Sequence, residues 1–116
     1  MKHVLVALVL LLSWPARAEF YTGNELVQRM RAYQQSAAGQ VPSSYADASA
    51  YMFFVAGVHD TLDNLDIFCT PANSTLGQVA AVVEKYLVAH PERWANAAST
   101  LVADALREAF PCKAGK

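Results

Sequence analysis

The residues that could carry chemistry are three histidines, a set of aspartates and two cysteines. Hydrolytic chemistry needs an activated nucleophile with a base within hydrogen-bond reach. Serine, histidine and aspartate are all present, but no Gly-x-Ser-x-Gly elbow occurs, and a disulfide between the two cysteines would leave no free thiol. We therefore expect no catalytic residue, and the sequence predicts that the protein is not an enzyme.

Metal binding would have to recruit His59, Asp60, His90 and the two cysteines. Their spacing matches no zinc pattern, and a disulfide would remove the thiolate ligands. We expect no metal site and no cofactor. His59 is better interpreted as a hydrogen-bonded packing residue at the edge of an apolar helix face, and His90 as a cap of the helix that follows it.

A one-sided set of carboxylates, Asp60, Asp63 and Asp66, closes the second predicted helix. Paired carboxylates occur in glycosidases and metal sites, but no oriented base or third type of ligand accompanies this set. One interpretation is a solvated helix end. The other is a surface kept for a basic partner, because carboxylates at a helix C-terminus oppose the helix dipole.

Phe53 and Gly57 share with Asp60 a stripe of the second helix that lies outside its apolar arc. Phe53 is either an aromatic anchor for a partner or is covered by the N-terminal segment around Phe20. Glycine inside a helix is about 1 kcal/mol less favourable than alanine, so Gly57 serves close packing or access to a partner. We predict that Phe53, Gly57, Asp60 and Asp63 form a partner-binding surface.

Four helices must position these residues. Capping boxes at Thr22/Glu25 and Thr75/Gln78 and apolar residues at helical spacing predict them, and no β alternation of useful length occurs. The second helix, with the broadest apolar arc, is expected at the centre. The sequence therefore predicts an all-α, compact four-helix domain with short connections, with helices over residues 22–39, 43–65, 75–90 and 91–110.

Residues 1–18 have the pattern of a secretory signal peptide. A short basic start precedes the apolar run Val4–Leu12, and Ala16-Arg17-Ala18 supplies an A-x-A cleavage site. A retained membrane anchor is the alternative, but a spanning helix needs about 20 apolar residues. We expect cleavage after residue 18, export, and a single domain over residues 19–116.

Charge and cysteine content limit the partners of that domain. Without Lys2 and Arg17, seven basic side chains remain against ten acidic ones. No basic stripe or polybasic segment is present, so neither nucleic acid nor a membrane surface is an expected partner. Two cysteines in an exported chain predict one disulfide, Cys69–Cys112, and the chain-entropy estimate for closing such a loop is about 4 kcal/mol.

A series of short motifs, in a fixed order, resembles the small periplasmic immunity proteins of type VI secretion, the Rap/Tai family. The match covers nearly all of residues 19–116. The motifs are Phe20-Tyr21-Thr22-Gly23-Asn24-Glu25-Leu26, Ala56-Gly57-Val58-His59-Asp60, Phe68-Cys69-Thr70-Pro71, Val83-Glu84-Lys85-Tyr86-Leu87, His90-Pro91-Glu92, Ala105-Leu106 and Phe110-Pro111-Cys112.

The resemblance implies a compact helical domain, often dimeric and without catalytic activity, that binds and neutralises a peptidoglycan amidase effector. Cys69 and Cys112 match the C-terminal cysteine pair of the family. Two further cysteines that many members carry are both missing, and Met30 lies near the position of the first. Because effector contacts vary between members, the family assigns no inhibitory residue. The alternative function is a small periplasmic helical chaperone or acid-stress protein.

Overall fold

The computed structural model describes residues 20–113. The helices in this range are α1 (Gly23–Ala37), α2 (Tyr45–Leu62), α3 (Leu76–Ala89) and α4 (Ala98–Ala109), with short 3₁₀ turns at Asp63–Leu65 and Pro91–Arg93. No strand occurs among these described residues, so the predicted all-α, four-helix fold is confirmed. The predicted signal peptide lies outside the described residues.

Local sequence explains where the helices begin. The Thr22 hydroxyl accepts the backbone N–H of Glu25, and the Glu25 carboxylate accepts the N–H of Thr22. Thr75 and Gln78 form the same reciprocal pair at the start of α3. The Ser44 hydroxyl caps α2. These side chains satisfy backbone N–H groups that the first turn of a helix leaves unpaired, as the two predicted capping boxes require.

Helix α2 is the central element, as its broad apolar arc predicts. It contacts each of the other three helices, and its Tyr51 and Val55 are fully buried. No charged side chain among residues 20–113 is buried. Leu65, which helical spacing places on the apolar side, is instead 62% exposed, because α-helical geometry ends at Leu62.

The fourth helix begins at Ala98, later than the sequence predicts. Residues 91–93 form a 3₁₀ turn, and the carbonyls of Trp94 and Asn96 accept the first two backbone N–H groups of α1, at 2.8 Å each. These carbonyls therefore bind α1 instead of continuing a helix. The prediction of a helix from residue 91 is wrong, since a contact with a distant segment decides the local conformation.

His90 caps a different helix from the one predicted. It ends α3, and its ring Nδ1 lies 2.8 Å from the carbonyl oxygen of Tyr86, one of the last carbonyls of that helix. The imidazole also stacks on the Tyr86 ring, with the centroids 4.2 Å apart. No side-chain cap is made to the 3₁₀ turn that follows.

The predicted disulfide is confirmed. Cys69 and Cys112 are bonded, with their Cα atoms 4.9 Å apart. The backbone N–H of Cys69 also donates to the carbonyl of Phe110 at 2.7 Å. The bond joins the loop after α2 to the segment after α4, so the end of the central helix and the end of the last helix are held together.

Candidate partner-binding surface

The outer face of α2 carries an exposed row of residues four positions apart. Its members are Tyr45, Ser49, Phe53, Gly57 and Thr61, and each is exposed to solvent. Tyr45 is 67% and Phe53 72% exposed, which is unusual for large aromatic side chains. We call these five residues the α2 row. The row contains two of the four residues that the sequence predicts for partner binding.

Phe53 is not covered by the N-terminal segment around Phe20. Phe20 is itself 91% exposed. The aromatic residue beside it, Tyr21, stacks instead on Phe54, with ring centroids 4.9 Å apart. The alternative interpretation of Phe53 is therefore wrong. The N-terminal segment packs on the adjacent residue, which faces a different side of α2, and the Phe53 ring stays open to a partner.

Gly57 has no packing role within the described chain. A Cβ atom built on this residue meets no heavy atom within 4 Å other than its chain neighbours and the backbone of its own helix. Of the two reasons that the sequence offers for a glycine in this helix, close packing against another part of the protein is therefore excluded among residues 20–113. Access for an external group remains, because a glycine leaves the helix backbone unshielded at this point.

Two surface depressions lie on either side of this part of α2. One, of about 450 Å³, is lined by Phe53, Gly57 and neighbouring apolar side chains. The other, of about 330 Å³, is lined by Asp60 and Asp63 together with the start of α3. The structure therefore brings the four predicted residues to one region, formed by α2 and the 3₁₀ turn that follows it, and divides them into an apolar pair and an acidic pair.

His59 links the acidic depression to the loop that follows the disulfide. Its ring Nδ1 lies 3.0 Å from an oxygen of Asp60, and its Nε2 lies 3.0 Å from the hydroxyl of Thr70. The ring packs against buried Phe68 at a centroid distance of 5.3 Å. The interpretation of His59 as a hydrogen-bonded packing residue is confirmed. Thr70 was not identified from the sequence, since nothing local marks a threonine in a loop as a histidine partner.

Asp60, His59 and Thr70 follow the carboxylate–imidazole–hydroxyl order of a hydrolase triad. Two features separate them from a working one. The carboxylate of a triad is buried, so that it fixes the imidazole tautomer, whereas the Asp60 side chain is 81% exposed. The hydroxyl belongs to threonine, a more hindered alcohol than serine. The arrangement can orient the Asp60 carboxylate and hold the loop against α2.

The acidic depression carries uncompensated negative charge. Helix α2 and the 3₁₀ turn contain no lysine or arginine. Among the described residues, the ion pairs do not include Asp63 or Asp66, and Asp60 pairs only with His59. Asp66 adopts a left-handed backbone conformation (φ 52°), and its carbonyl lies 3.6 Å from the Cys112 sulfur. Within residues 20–113, this end of α2 is therefore an acidic surface that no lysine or arginine pairs with.

A second polar cluster joins the end of α3 and the turn that follows it to α4. Arg93 donates to the hydroxyl of Tyr86 and to the Asp104 carboxylate, the latter at 2.8 Å. The hydrogen bond that Arg93 donates to the Asp104 carboxylate raises the pKa of the Arg93 guanidinium. Arg107 also reaches Asp104, at 3.3 Å. These groups satisfy one another, so the cluster fixes the connection between the two helices and presents no open site.

The sequence matches a known protein family over most of its length. The family model described as "Rap1a immunity proteins" matches residues 22–112, which include all four helices and both cysteines. The chain belongs to this family.

No curated protein matches the sequence of this Rap1a family member. Phe53, Gly57, Asp60 and Asp63 all fall within the matched range. In the part of the chain that the structure describes, no helix combines the length and apolar character of a membrane span. In that part, too, no group of three or more His, Cys, Asp or Glu side chains could hold a metal ion.

Proposed function

We propose that this protein is a periplasmic immunity protein that binds and neutralises a type VI secretion effector with peptidoglycan amidase activity. Membership of the Rap1a immunity proteins is the observation that carries the proposal. The predicted signal peptide over residues 1–18 and the disulfide support an exported protein, because disulfides persist in oxidising compartments.

The exposed region around Phe53, Gly57, Asp60 and Asp63 is the surface that we propose for effector binding. Interface energy concentrates in a few aromatic or charged anchors that are surrounded by groups excluding water. Phe53 is such an anchor, and the acidic pair supplies charge complementarity to a basic partner. A protein bound here would cover the effector's active site sterically and would need no chemistry of its own.

The proposal predicts a peptidoglycan amidase gene next to the gene for this protein, and binding to the product of that gene is the test. Wild-type protein should co-purify with that amidase and abolish its peptidoglycan hydrolysis. The double variant Phe53→Ala/Asp60→Ala should bind about 30-fold more weakly or worse, since loss of a hot-spot residue is worth about 2 kcal/mol or more.

The matched control removes one exposed apolar and one exposed acidic side chain elsewhere. Val88 is 56% exposed and Glu108 is also exposed, so Val88→Ala/Glu108→Ala changes the same chemistry on α3 and α4. This control should keep wild-type affinity. Equal binding by wild type and Phe53→Ala/Asp60→Ala would show that this surface does not bind the effector. No binding by wild type would show that the amidase is not the effector.

We also propose that the protein is not an enzyme. The exposed Asp60 carboxylate and the Thr70 hydroxyl make a weak triad, as described above. Hydrolysis of p-nitrophenyl acetate by the purified protein should therefore equal that of the variant Thr70→Val. A rate that falls in Thr70→Val and in His59→Gln would contradict this expectation and would identify an active hydroxyl.

A homodimer is implied by the family resemblance, and we include it in the proposal. Sedimentation equilibrium of the protein without its effector measures the monomer–dimer equilibrium directly.

The alternative function, an acid-activated chaperone, would need internal carboxylates whose protonation opens the fold. No charged side chain is buried among the described residues. We therefore expect no suppression of client aggregation at neutral or low pH.

A further inference from the structure

The α2 row has the profile of a helix face that lies against another helix. Along one i, i+4 row, large and small side chains alternate, with Tyr45 and Phe53 as the large ones and Ser49 and Gly57 between or after them. Such rows form the ridges of helix–helix packing, and the small residues form the gaps that accept side chains of the facing helix. Ser49 and Gly57 are eight residues apart, which is about 12 Å along a helix.

The backbone of α2 offers a partner no free hydrogen-bonding groups along the α2 row. All the N–H and C=O groups in the middle of α2 are engaged within the helix, so an extended partner strand would find no main-chain partners here. Recognition must therefore use side chains and close contact. An α-helix supplies both, because it is straight over the length of the row and satisfies its own backbone.

Gly57 provides an independent indication of close contact. The residue is less favourable than alanine in a helix, and no part of the described chain fills the space that its missing Cβ leaves. The apolar depression beside it, of about 450 Å³, is lined by Phe53, Leu62 and Ser99 among others. A large apolar side chain of a partner fits this space when the partner backbone approaches at Gly57.

The acidic residues next to the α2 row indicate that a partner bound there carries a basic side chain. Beyond Gly57, Asp60 and Asp63 line the adjacent depression, and no lysine or arginine is among the described residues that line it. The ring of His59 lies 3.0 Å from the Asp60 carboxylate and orients it at this point. A lysine or arginine placed three or four residues from the apolar anchor of the partner helix would meet this acidic pair.

We propose that the effector is recognised through one of its α-helices, which lies along the α2 row. This inference rests on the proposed function. This helix places a large apolar side chain beside Gly57 and a lysine or arginine against Asp60 and Asp63.

The experiment measures, by calorimetry, the affinity of the full protein for the same amidase that tests the proposed function. Gly57→Ala should bind about tenfold more weakly and Gly57→Leu about 100-fold more weakly, because each fills the approach space. Ser49→Leu should also bind about tenfold more weakly or worse, since a helix along the row contacts both gaps. Ala81→Leu adds the same side chain to an exposed position of α3 and should leave the affinity unchanged.

The basic side chain is tested separately. In Asp60→Asn/Asp63→Asn, the affinity should fall and depend less on salt concentration than in wild type. Gly57→Ala should raise the melting temperature while it weakens binding, which separates loss of contact from loss of fold.

Each outcome decides one point. If wild type does not bind this amidase, the proposed function fails, and the inference fails with it. If wild type binds and Gly57→Leu binds equally well, the inference alone is overturned. If Gly57→Leu weakens binding but Ser49→Leu does not, the bound element of the effector is a loop or short segment. That result also overturns the proposal that this element is a helix. If the affinity of Asp60→Asn/Asp63→Asn depends on salt concentration as strongly as that of wild type, the proposed contact with a lysine or arginine of the effector is overturned.

Discussion

Tyr51 places one polar side-chain atom, its hydroxyl oxygen, inside the core. Its side chain is fully buried in α2, and its hydroxyl donates to the carbonyl of Ala80 in α3 at 2.7 Å. Burial raises the pKa of the Tyr51 hydroxyl well above its ordinary value, with smaller contributions from Glu84 and Tyr33. The hydrogen bond therefore joins two helices inside an otherwise apolar region.

We expect Tyr51→Phe to lower the free energy of unfolding by about 1 kcal/mol at pH 7. The change removes the donor, while the Ala80 carbonyl keeps the bond that α-helical geometry gives it within α3. Urea unfolding measures the difference. Tyr45→Phe is the matched control, because Tyr45 is 67% exposed, and it should match wild type. Equal stability of all three proteins would show that the buried hydroxyl contributes nothing.

The raised pKa of Tyr51 also predicts how stability depends on pH. Above the ordinary tyrosine pKa of about 10, the unfolded chain loses this proton while the folded protein keeps it. The folded state then binds more protons, so its stability falls as pH rises. The contribution is constant below pH 9 and declines by up to about 1.4 kcal/mol per pH unit above 10. Urea unfolding from pH 8 to pH 11 should show a shallower decline for Tyr51→Phe; parallel curves would contradict the assignment.

At the scale of elements, the start of α1 is docked on the segment between α3 and α4. Besides the two N–H groups bound by the carbonyls of Trp94 and Asn96, the N–H of Ala98 donates to the carbonyl of Tyr21 at 3.0 Å. Gly23 lies at the centre of this contact and is buried. A Cβ on this residue would lie 2.6 Å from the Trp94 carbonyl oxygen, closer than real Cβ atoms approach.

Gly23→Ala should therefore destabilise the protein by about 1–3 kcal/mol, because the start of α1 must move away from residues 94–97. Denaturant unfolding measures the loss, and amide hydrogen exchange at Asn24 and Ala98 should become faster. Gly77→Ala in α3 is the matched control, since its Cβ would meet only the Thr75 hydroxyl at 3.8 Å. We expect the control to be neutral or slightly stabilising. A neutral Gly23→Ala would mean that this contact yields easily.

At the scale of the whole molecule, the disulfide joins the two ends of the segment that forms the C-terminal half of the fold. Cys69 and Cys112 are 43 positions apart, and the segment between them contains α3 and α4. The loop that carries Cys69 also carries Thr70, which lies 3.0 Å from the His59 ring at the acidic depression. The bond is therefore placed to influence both the stability of the domain and the shape of the proposed binding surface.

We expect Cys69→Ala/Cys112→Ala to lose about 4 kcal/mol of stability, the chain-entropy estimate for a loop of this length. If the loop also positions Asp60, affinity for the effector should fall in the same variant at a temperature where it remains folded. The variant Thr70→Val, which keeps the disulfide and removes only the contact to His59, separates the two effects. A large loss of melting temperature with unchanged affinity would make the disulfide purely structural.

Much of the fold could be predicted because its determinants are local. The capping boxes at Thr22 and Thr75 specify helix starts through contacts three residues apart. The apolar spacing of α2 identified the central helix and left Phe53 and Gly57 outside the core. The sequence could not show that the predicted surface divides into an apolar and an acidic depression, since α3 and α4 supply the other walls.

By itself, the sequence determined the helix count, the central helix and the single disulfide, because each depends on periodicity, on local hydrogen bonds or on there being two cysteines. Only the tertiary structure decided the late start of α4, the capping of α3 by His90 and the contact of His59 with Thr70. These features depend on backbone and side-chain groups brought together from separate segments. A periodic pattern shows which face of a helix is apolar, but it does not show which neighbour will cover it.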